Sequence, residues 1–134
     1  LKSVSNIHDG FSSYRVFIVS LGDNMTKTAF LFPGQGSQAP GMAVQLAKAS
    51  QAARDVLAEV DDALGQNLSA LMADGPADEL TLTANAQPAL FASSLAVVAA
   101  ITEHSGKQLA DFGDLVAGHS LGEYSALSAA GVFD

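Results

Sequence analysis

The sequence predicts an α/β fold in which a parallel sheet is covered by helices. Residues 28–32 (Thr-Ala-Phe-Leu-Phe) form a short apolar run typical of a strand covered on both faces, and residues 115–117 (Leu-Val-Ala) form a second apolar strand. Long stretches with apolar residues at helical spacing lie between them. Two strands separated by helices indicate parallel pairing through helical crossovers. The 134 residues are enough for one domain.

Composition excludes several classes of function. The chain is 49% hydrophobic and 15% charged, which favours a buried core over disorder. Six scattered basic residues stand against fourteen acidic ones, so we expect no nucleic-acid partner. The absence of cysteine excludes disulfides and thiol nucleophiles. The apolar run at residues 16–19 is too short for a membrane span or a signal peptide, so we expect a cytoplasmic protein with no membrane partner.

The first 24 residues differ in texture from the rest of the sequence. Ser, Asn, Asp and Tyr are mixed there around the short apolar run at residues 16–19, and Met25 has the character of a true start. We therefore expect residues 1–24 to be an upstream leader outside the fold and residues 25–134 to form the domain. A real additional strand is the alternative.

Helices are predicted for most of the region between the two strands. Apolar residues recur at helical spacing over residues 42–64, which fits one or two helices ending at Gly65. A short helical stripe continues over residues 68–72, and Pro76 is expected to open another short turn.

A long apolar helix is predicted next, followed by a shorter one at the end of the chain. Pro88 suits the first turn of the long helix, which is expected to run to about His104 with Gly106 just beyond its end. Residues 123–130 follow the second strand and favour a helix. Strand, sharp turn and helix therefore come in that order.

The turn between the second strand and the last helix carries a G-x-S-x-G motif, Gly118-His119-Ser120-Leu121-Gly122. Small residues two positions on either side of Ser120 let the chain turn tightly and lift the hydroxyl to the head of a helix. The positive helix end and the backbone N–H of Leu121 can stabilise a tetrahedral oxyanion there. Ser120 is the candidate nucleophile, and the alternative is a turn in which its side chain caps the helix.

The three histidines offer no evident general base for Ser120. His119 should point away from Ser120, because neighbouring residues that leave a strand point to opposite sides, and we expect it to be packed or structural. His104 lies near a helix C-terminus, where an imidazolium suits the dipole, and His8 lies in the expected leader. Serine chemistry requires a base, so a part of the site is missing from these residues.

The loop over residues 33–38 (Pro-Gly-Gln-Gly-Ser-Gln) follows the first strand. Its glycines permit close backbone approach to a ligand, but it lacks the endings of a phosphate-binding P-loop and the spacing of a dinucleotide site. If the two strands are neighbours, Gln35 can present its N–H beside that of Leu121. The alternative is a simple turn whose amides face water.

Together these motifs resemble the malonyl-CoA:acyl-carrier-protein transacylase family. The resemblance covers residues 26–134 and rests on three segments in order, residues 30–38 (FLFPGQGSQ), 87–90 (QPAL) and 118–127 (GHSLGEYSAL). It implies an acyltransferase core with a parallel sheet and a strand-elbow-helix nucleophile. It also implies that the chain ends before the small ferredoxin-like subdomain that the family inserts into this core.

The resemblance assigns roles to four residues. It implies that Ser120 accepts the acyl group and that the backbone N–H groups of Gln35 and Leu121 line the oxyanion hole. It implies that Gln87 lies beside the acyl pocket, with a helix N-terminal polar residue before Pro88 as the alternative. The family's catalytic histidine and its carboxylate-binding arginine lie beyond residue 134, and neither Arg15 nor Arg54 occupies the arginine's position.

The resemblance also implies an activity, namely malonyl transfer from malonyl-CoA to the phosphopantetheine thiol of acyl carrier protein in fatty acid biosynthesis. No metal is expected, and no cofactor beyond the coenzyme A thioester that serves as substrate. The chain reads as an incomplete fragment that we expect to be inactive alone.

Two other classes of function stay open. A serine hydrolase of the α/β type shares the elbow but uses water, although an HGGG-like loop would be more typical of it than the Gly-Gln-Gly setting of Gln35. A non-catalytic fragment or remnant would keep the fold signals and turn nothing over. Malonyl or methylmalonyl preference is also open, because polyketide synthase acyltransferase domains share these motifs.

Overall fold

The computed structural model describes residues 4–6, 17–20 and 26–133. These residues form strands and α-helices together with one short 3₁₀ turn, Leu109–Asp111. In chain order the elements are β1 (Val4–Asn6), β2 (Phe17–Ser20), β3 (Thr26–Phe32), α1 (Val44–Ala49), α2 (Gln51–Leu64), α3 (Leu68–Asp74), α4 (Ala77–Thr81), α5 (Thr83–Ser105), β4 (Leu115–Gly118) and α6 (Leu121–Ala129).

The sheet has the strand order β1-β2-β3-β4. β3 and β4 pair in parallel, with Ala29 opposite Leu115 and Phe32 opposite Gly118, which confirms the predicted parallel pairing. Because parallel strands end at the same edge of a sheet, the loop after β3 and the turn after β4 leave side by side. This edge is where the sequence places both candidate oxyanion donors.

The other two strands come from the first 24 residues. β1 pairs antiparallel with β2, and β2 pairs antiparallel with β3, with Phe17 opposite Ala29 and Ser20 opposite Thr26. Two short strands within residues 1–24 thus pair with the sheet, and the expectation that this segment is a leader outside the fold stays a prediction. β3 has a second edge away from β4, and the short run supplies partners for its backbone groups. The domain boundary at residue 25 stays a prediction.

Helices cover one face of the sheet. Phe32 is buried with Leu109 and Ala126, and Phe30, Val116, Val98 and Ala129 pack around them. On the opposite face Leu31 is 44% exposed and Leu115 is 57% exposed. Successive strand residues point to opposite faces, so the expectation that β3 is covered on both faces is wrong within the described residues.

α5 begins earlier than predicted. Pro88 was expected in its first turn, but the helix starts at Thr83 and Pro88 lies inside it. The N–H of Ala86 donates to the carbonyl of Leu82 at 2.8 Å, and Ala86 is fully buried. Burial thus stabilises a helical turn ahead of the proline. Pro88 removes the N–H that would bond the Ala84 carbonyl four residues earlier, but Ala84 is exposed and water can bind there.

The other predicted helix boundaries agree more closely with the structure. Gly65 ends α2 and Gly106 ends α5, as predicted. Two helices, α1 and α2, occupy the region predicted to hold one or two. Pro76 stands directly before α4.

α5 is also the one helix in the described part of the chain that is long and apolar enough to cross a membrane. It contacts α2, α4 and α6 within the fold, and Ala86, Ala89 and Ala96 are fully buried. The core helix of a layered domain has the same composition, because it is apolar on most of its surface.

Ser125 in α6 is fully buried, and its hydroxyl has no hydrogen-bond partner among the described residues. A buried polar group without a partner costs about 1–3 kcal/mol. We therefore expect Ser125→Ala to raise the free energy of unfolding by about 1 kcal/mol, measured by urea denaturation.

Ser50 provides a matched control. It is also buried, but its hydroxyl accepts a hydrogen bond from the N–H of Ala53 at 3.0 Å and donates one to the carboxylate of Glu103. Ser50→Ala is expected to lower stability by about 1 kcal/mol through loss of this N-cap. If both substitutions destabilised the protein equally, the Ser125 hydroxyl would have to be satisfied after all.

Candidate active site

Ser120 has an unusual backbone conformation. It stands between β4 and α6 with φ 56° and ψ −120°, a combination that non-glycine residues rarely adopt. Such strain persists only where the surrounding structure imposes it, and it clusters at functional sites. Ser120 is exposed, and its side chain makes no capping hydrogen bond to α6. The helix-cap interpretation therefore does not apply, and the hydroxyl is available for chemistry.

Close backbone contacts at three glycines build the elbow and join it to the loop after β3. A Cβ at Gly118 would lie 1.9 Å from the carbonyl oxygen of Gly122, and a Cβ at Gly122 would lie 2.2 Å from that of Phe32. A Cβ at Gly34 would lie 2.7 Å from the carbonyl oxygen of His119. The loop after β3 and the elbow after β4 therefore touch through their backbones, as the neighbouring strands lead one to expect.

Most N–H groups of the elbow are used within the turn. The N–H of Gly122 donates to the carbonyl of His119 at 3.0 Å, and that of Glu123 donates to the carbonyl of Ser120 at 3.0 Å. The N–H of Leu121 donates to no described residue. It stands in the first turn of α6, where the helix dipole adds positive potential. This N–H is available to an anion beside Ser120.

The loop after β3 has a similar arrangement. The N–H of Gly36, whose φ is 106°, donates to the side-chain oxygen of Gln38 at 2.8 Å. The side-chain amide of Gln35 donates to Oγ1 of Thr83 at 3.3 Å. The backbone N–H of Gln35 donates to no residue in the ranges that the structure describes. Two N–H groups, those of Gln35 and Leu121, are thus unpaired on adjoining segments.

Gln87 lies in the second turn of α5 and is exposed. It is not a residue at the helix N-terminus, because α5 begins at Thr83. Residues four apart share a helix face, so Gln87 lies on the same side of α5 as Thr83, which contacts the Gln35 loop. Thr83 was not among the candidate residues predicted from the sequence, although its spacing from Gln87 is the helical repeat.

None of the described histidines forms a hydrogen bond with Ser120. His119 is exposed, and its Nδ1 would lie 3.5 Å from a Cβ at Gly34, so the ring lies close to the β3 loop. His104 lies in the last turn of α5, as predicted. The described residues also contain no group of His, Asp or Glu side chains that could hold a metal ion.

The profile of the acyl transferase domain matches residues 29–133. The malonyl CoA-acyl carrier protein transacylase of Bacillus subtilis (strain 168) is 51% identical over 107 residues, which are 80% of this chain and 32% of that protein. The enzyme of the same name from Escherichia coli (strain K12) is 47% identical over 110 residues, 82% of this chain and 34% of that protein. The chain thus spans about a third of the length of these relatives.

Solved structures also match this chain. The acyl-carrier-protein-S-malonyltransferase of Bartonella henselae matches with a TM-score of 0.72 and 58% identity, over 77% of this chain and 32% of that one. A malonyl-transacylase solved in complex with a type II PKS acyl-carrier protein matches with a TM-score of 0.72 and 49% identity, over 79% and 33% of the two chains. These neighbours confirm the predicted acyltransferase core, and the chain belongs to the acyl transferase domain family.

Proposed function

We propose that this chain carries the nucleophile of an enzyme that transfers malonyl from coenzyme A to the phosphopantetheine thiol of an acyl carrier protein, in fatty acid biosynthesis. The observation that carries the proposal is the strained, exposed Ser120 beside the unpaired N–H groups of Gln35 and Leu121. The relatives at 47% and 51% identity, which are named for this activity, support the choice of acyl group and acceptor.

In the first half-reaction, Oγ of Ser120 attacks the thioester carbonyl carbon of malonyl-CoA. A carbon–oxygen bond forms, the hydroxyl proton passes to a base, and the carbonyl oxygen becomes negatively charged. The N–H groups of Gln35 and Leu121 stabilise that oxyanion, and each such donor is worth on the order of a hundredfold in rate. The carbon–sulfur bond then breaks, and coenzyme A takes the proton and leaves as a thiol.

In the second half-reaction, the phosphopantetheine thiol attacks the malonyl ester. A carbon–sulfur bond forms while the bond to Oγ of Ser120 breaks, and the serine regains a proton. The same oxyanion donors serve both halves, so one site catalyses two similar steps through a covalent intermediate. The coenzyme A thioester is the substrate, and the proposal includes no further cofactor and no metal. A cytoplasmic location suits these substrates.

Two parts of this mechanism come from the family resemblance. It supplies a histidine as the base and an arginine that holds the malonate carboxylate, both C-terminal to the elbow. Arg54 does not serve as that arginine, since its guanidinium donates hydrogen bonds to the side-chain oxygen of Gln51 on α2 at 2.6 Å and to the carbonyl of Ala47 on α1. Gln87, on the face of α5 that meets the Gln35 loop, is proposed to line the acyl pocket.

The experiment that tests this function offers water and thiol acceptors side by side. The full-length enzyme, meaning the reading frame containing these residues taken to its stop codon, is given malonyl-CoA with carrier protein bearing phosphopantetheine. We expect malonyl-carrier protein to be the main product, detected by intact mass. Carrier protein without phosphopantetheine is the control and should gain nothing.

Two outcomes would contradict the proposal. Release of malonate without acylation of the carrier protein would favour the hydrolase alternative. No consumption of malonyl-CoA would favour a non-catalytic remnant.

A further inference from the structure

One side-chain hydrogen bond ties the loop after β3 to the start of α5. Nε2 of Gln35 donates to Oγ1 of Thr83 at 3.3 Å. Thr83 is the first residue of α5, and no other described side chain bonds its hydroxyl. α5 is a firm support, because Ala86 and Ala89 in its first two turns are fully buried.

Gly34 packs against the elbow at His119, and the other hydrogen bond of the loop among the described residues is internal to it. The side-chain oxygen of Gln38 accepts a hydrogen bond from the N–H of Gly36 at 2.8 Å, and Gly36 has a φ of 106°. Gln35, Gly36 and Ser37 are exposed, and glycine gives a backbone many alternatives. The direction of the Gln35 N–H would vary without an external anchor, and an oxyanion donor is effective only when its direction is fixed in advance.

We propose that Thr83 is a positioning residue for the oxyanion hole. Its hydroxyl holds the side chain of Gln35. The backbone N–H of the same residue therefore stays directed toward the oxyanion that forms when Ser120 attacks the acyl carbonyl. The inference deepens the proposed function and rests on it. In this proposal the side chain of Gln35 links α5 to the loop after β3.

The kinetic test compares Thr83→Val with Thr83→Ser in the full-length enzyme. Valine keeps the shape but removes the acceptor, and serine restores it. The rate of malonyl-enzyme formation at saturating malonyl-CoA is expected to fall about five- to tenfold with valine, which is the effect of one neutral hydrogen bond. The half-saturating concentration should stay unchanged, because the anchor acts on the transition state. Serine should stay within about twofold of wild type.

Thr81→Val is the matched control. Thr81 is also an exposed threonine, but its hydroxyl donates to the carbonyl of Ala77 within α4 at 2.7 Å. This variant is expected to keep the wild-type acylation rate.

A double variant gives a further test. Gln35→Ala combined with Thr83→Val should acylate no more slowly than Gln35→Ala alone, since both substitutions remove the same hydrogen bond.

Three kinetic results would overturn the inference: an unchanged rate with valine, an equal loss with serine and valine, or losses that multiply in the double variant. Hydrogen exchange of residues 33–38 in the full-length protein gives a readout independent of activity. Exchange should be faster in Thr83→Val than in wild type and Thr83→Ser. If wild type forms no malonyl ester, the proposed function fails, and exchange alone decides: equal exchange in all three proteins would then refute the anchor.

Discussion

Incubation of the full-length enzyme with malonyl-CoA, in the absence of carrier protein, is expected to leave one malonyl ester on Ser120. The Ser120→Ala variant is expected to gain none. The elbow gives Ser120 an exposed hydroxyl that makes no capping bond to α6, and Ser120 is the one serine among the described residues with a positive φ. Without an acceptor thiol the second half-reaction cannot proceed, so the ester should accumulate.

Intact mass followed by peptide mapping measures the adduct. Ser37→Ala is the matched control, because Ser37 is an exposed serine in the neighbouring loop. It should acquire the ester as wild type does. A malonyl ester on the Ser120→Ala protein, at the same level as wild type, would show that the nucleophile is another residue.

The elbow was predictable because its signals are local. Gly118, Ser120 and Gly122 stand at fixed spacing between an apolar strand and a helix, and the strand-turn-helix order follows from hydrophobic patterning. The conformation of Ser120, with φ 56°, is the strain that such a turn imposes. The parallel pairing of β3 with β4 followed from the helices between them.

The start of α5 was not predictable by the same means. A proline is a strong local signal for a first helical turn, and Pro88 therefore predicts a helix that begins close to it. The turn before it is stabilised by burial of Ala86, which only the packed structure reveals. Tertiary packing thus overrode the local preference, and it moved Gln87 from the helix end into the second turn.

The two faces of the sheet show another limit of sequence patterns. Apolar residues on both alternating sets of positions in residues 28–32 indicate a strand with both faces buried, yet Leu31 lies on a face that no described helix covers. A pattern shows what a strand can bury, but not which described element covers it. The pairing of β2 with β3 is similar, since a four-residue run carries too little periodicity to predict it.

The hydrogen bond between Gln35 and Thr83 could not be predicted from the sequence for a different reason. The two residues are 48 positions apart, and the bond that joins them exists only once α5 packs beside the sheet. The backbone donors are proposed from motifs in the sequence, whereas the side-chain hydrogen bond proposed to position one of them depends on the tertiary arrangement.

Gly118→Ala is expected to destroy the elbow. Gly118 does not have a positive φ, so alanine meets no conformational penalty of that kind. The new Cβ would lie 1.9 Å from the carbonyl oxygen of Gly122 and 2.5 Å from the nitrogen of Glu123, and these are backbone atoms that cannot rotate away. We expect the free energy of unfolding to fall by more than about 3 kcal/mol and the malonyl ester to be lost.

Two further alanine variants separate steric overlap from the loss of a glycine. Gly106 has a left-handed φ of 67°, and a Cβ added there would lie in open space. Gly106→Ala should therefore lower the free energy of unfolding by only about 1 kcal/mol and leave acylation unchanged. Gly34→Ala brings a Cβ to 2.7 Å from the carbonyl oxygen of His119, so it should fold but acylate more slowly, because the loop must shift from the elbow. Urea denaturation and the acylation rate are measured for all three. If Gly118→Ala were as stable as Gly106→Ala and formed the ester at the wild-type rate, the inference that this close backbone approach holds Ser120 in place would be wrong.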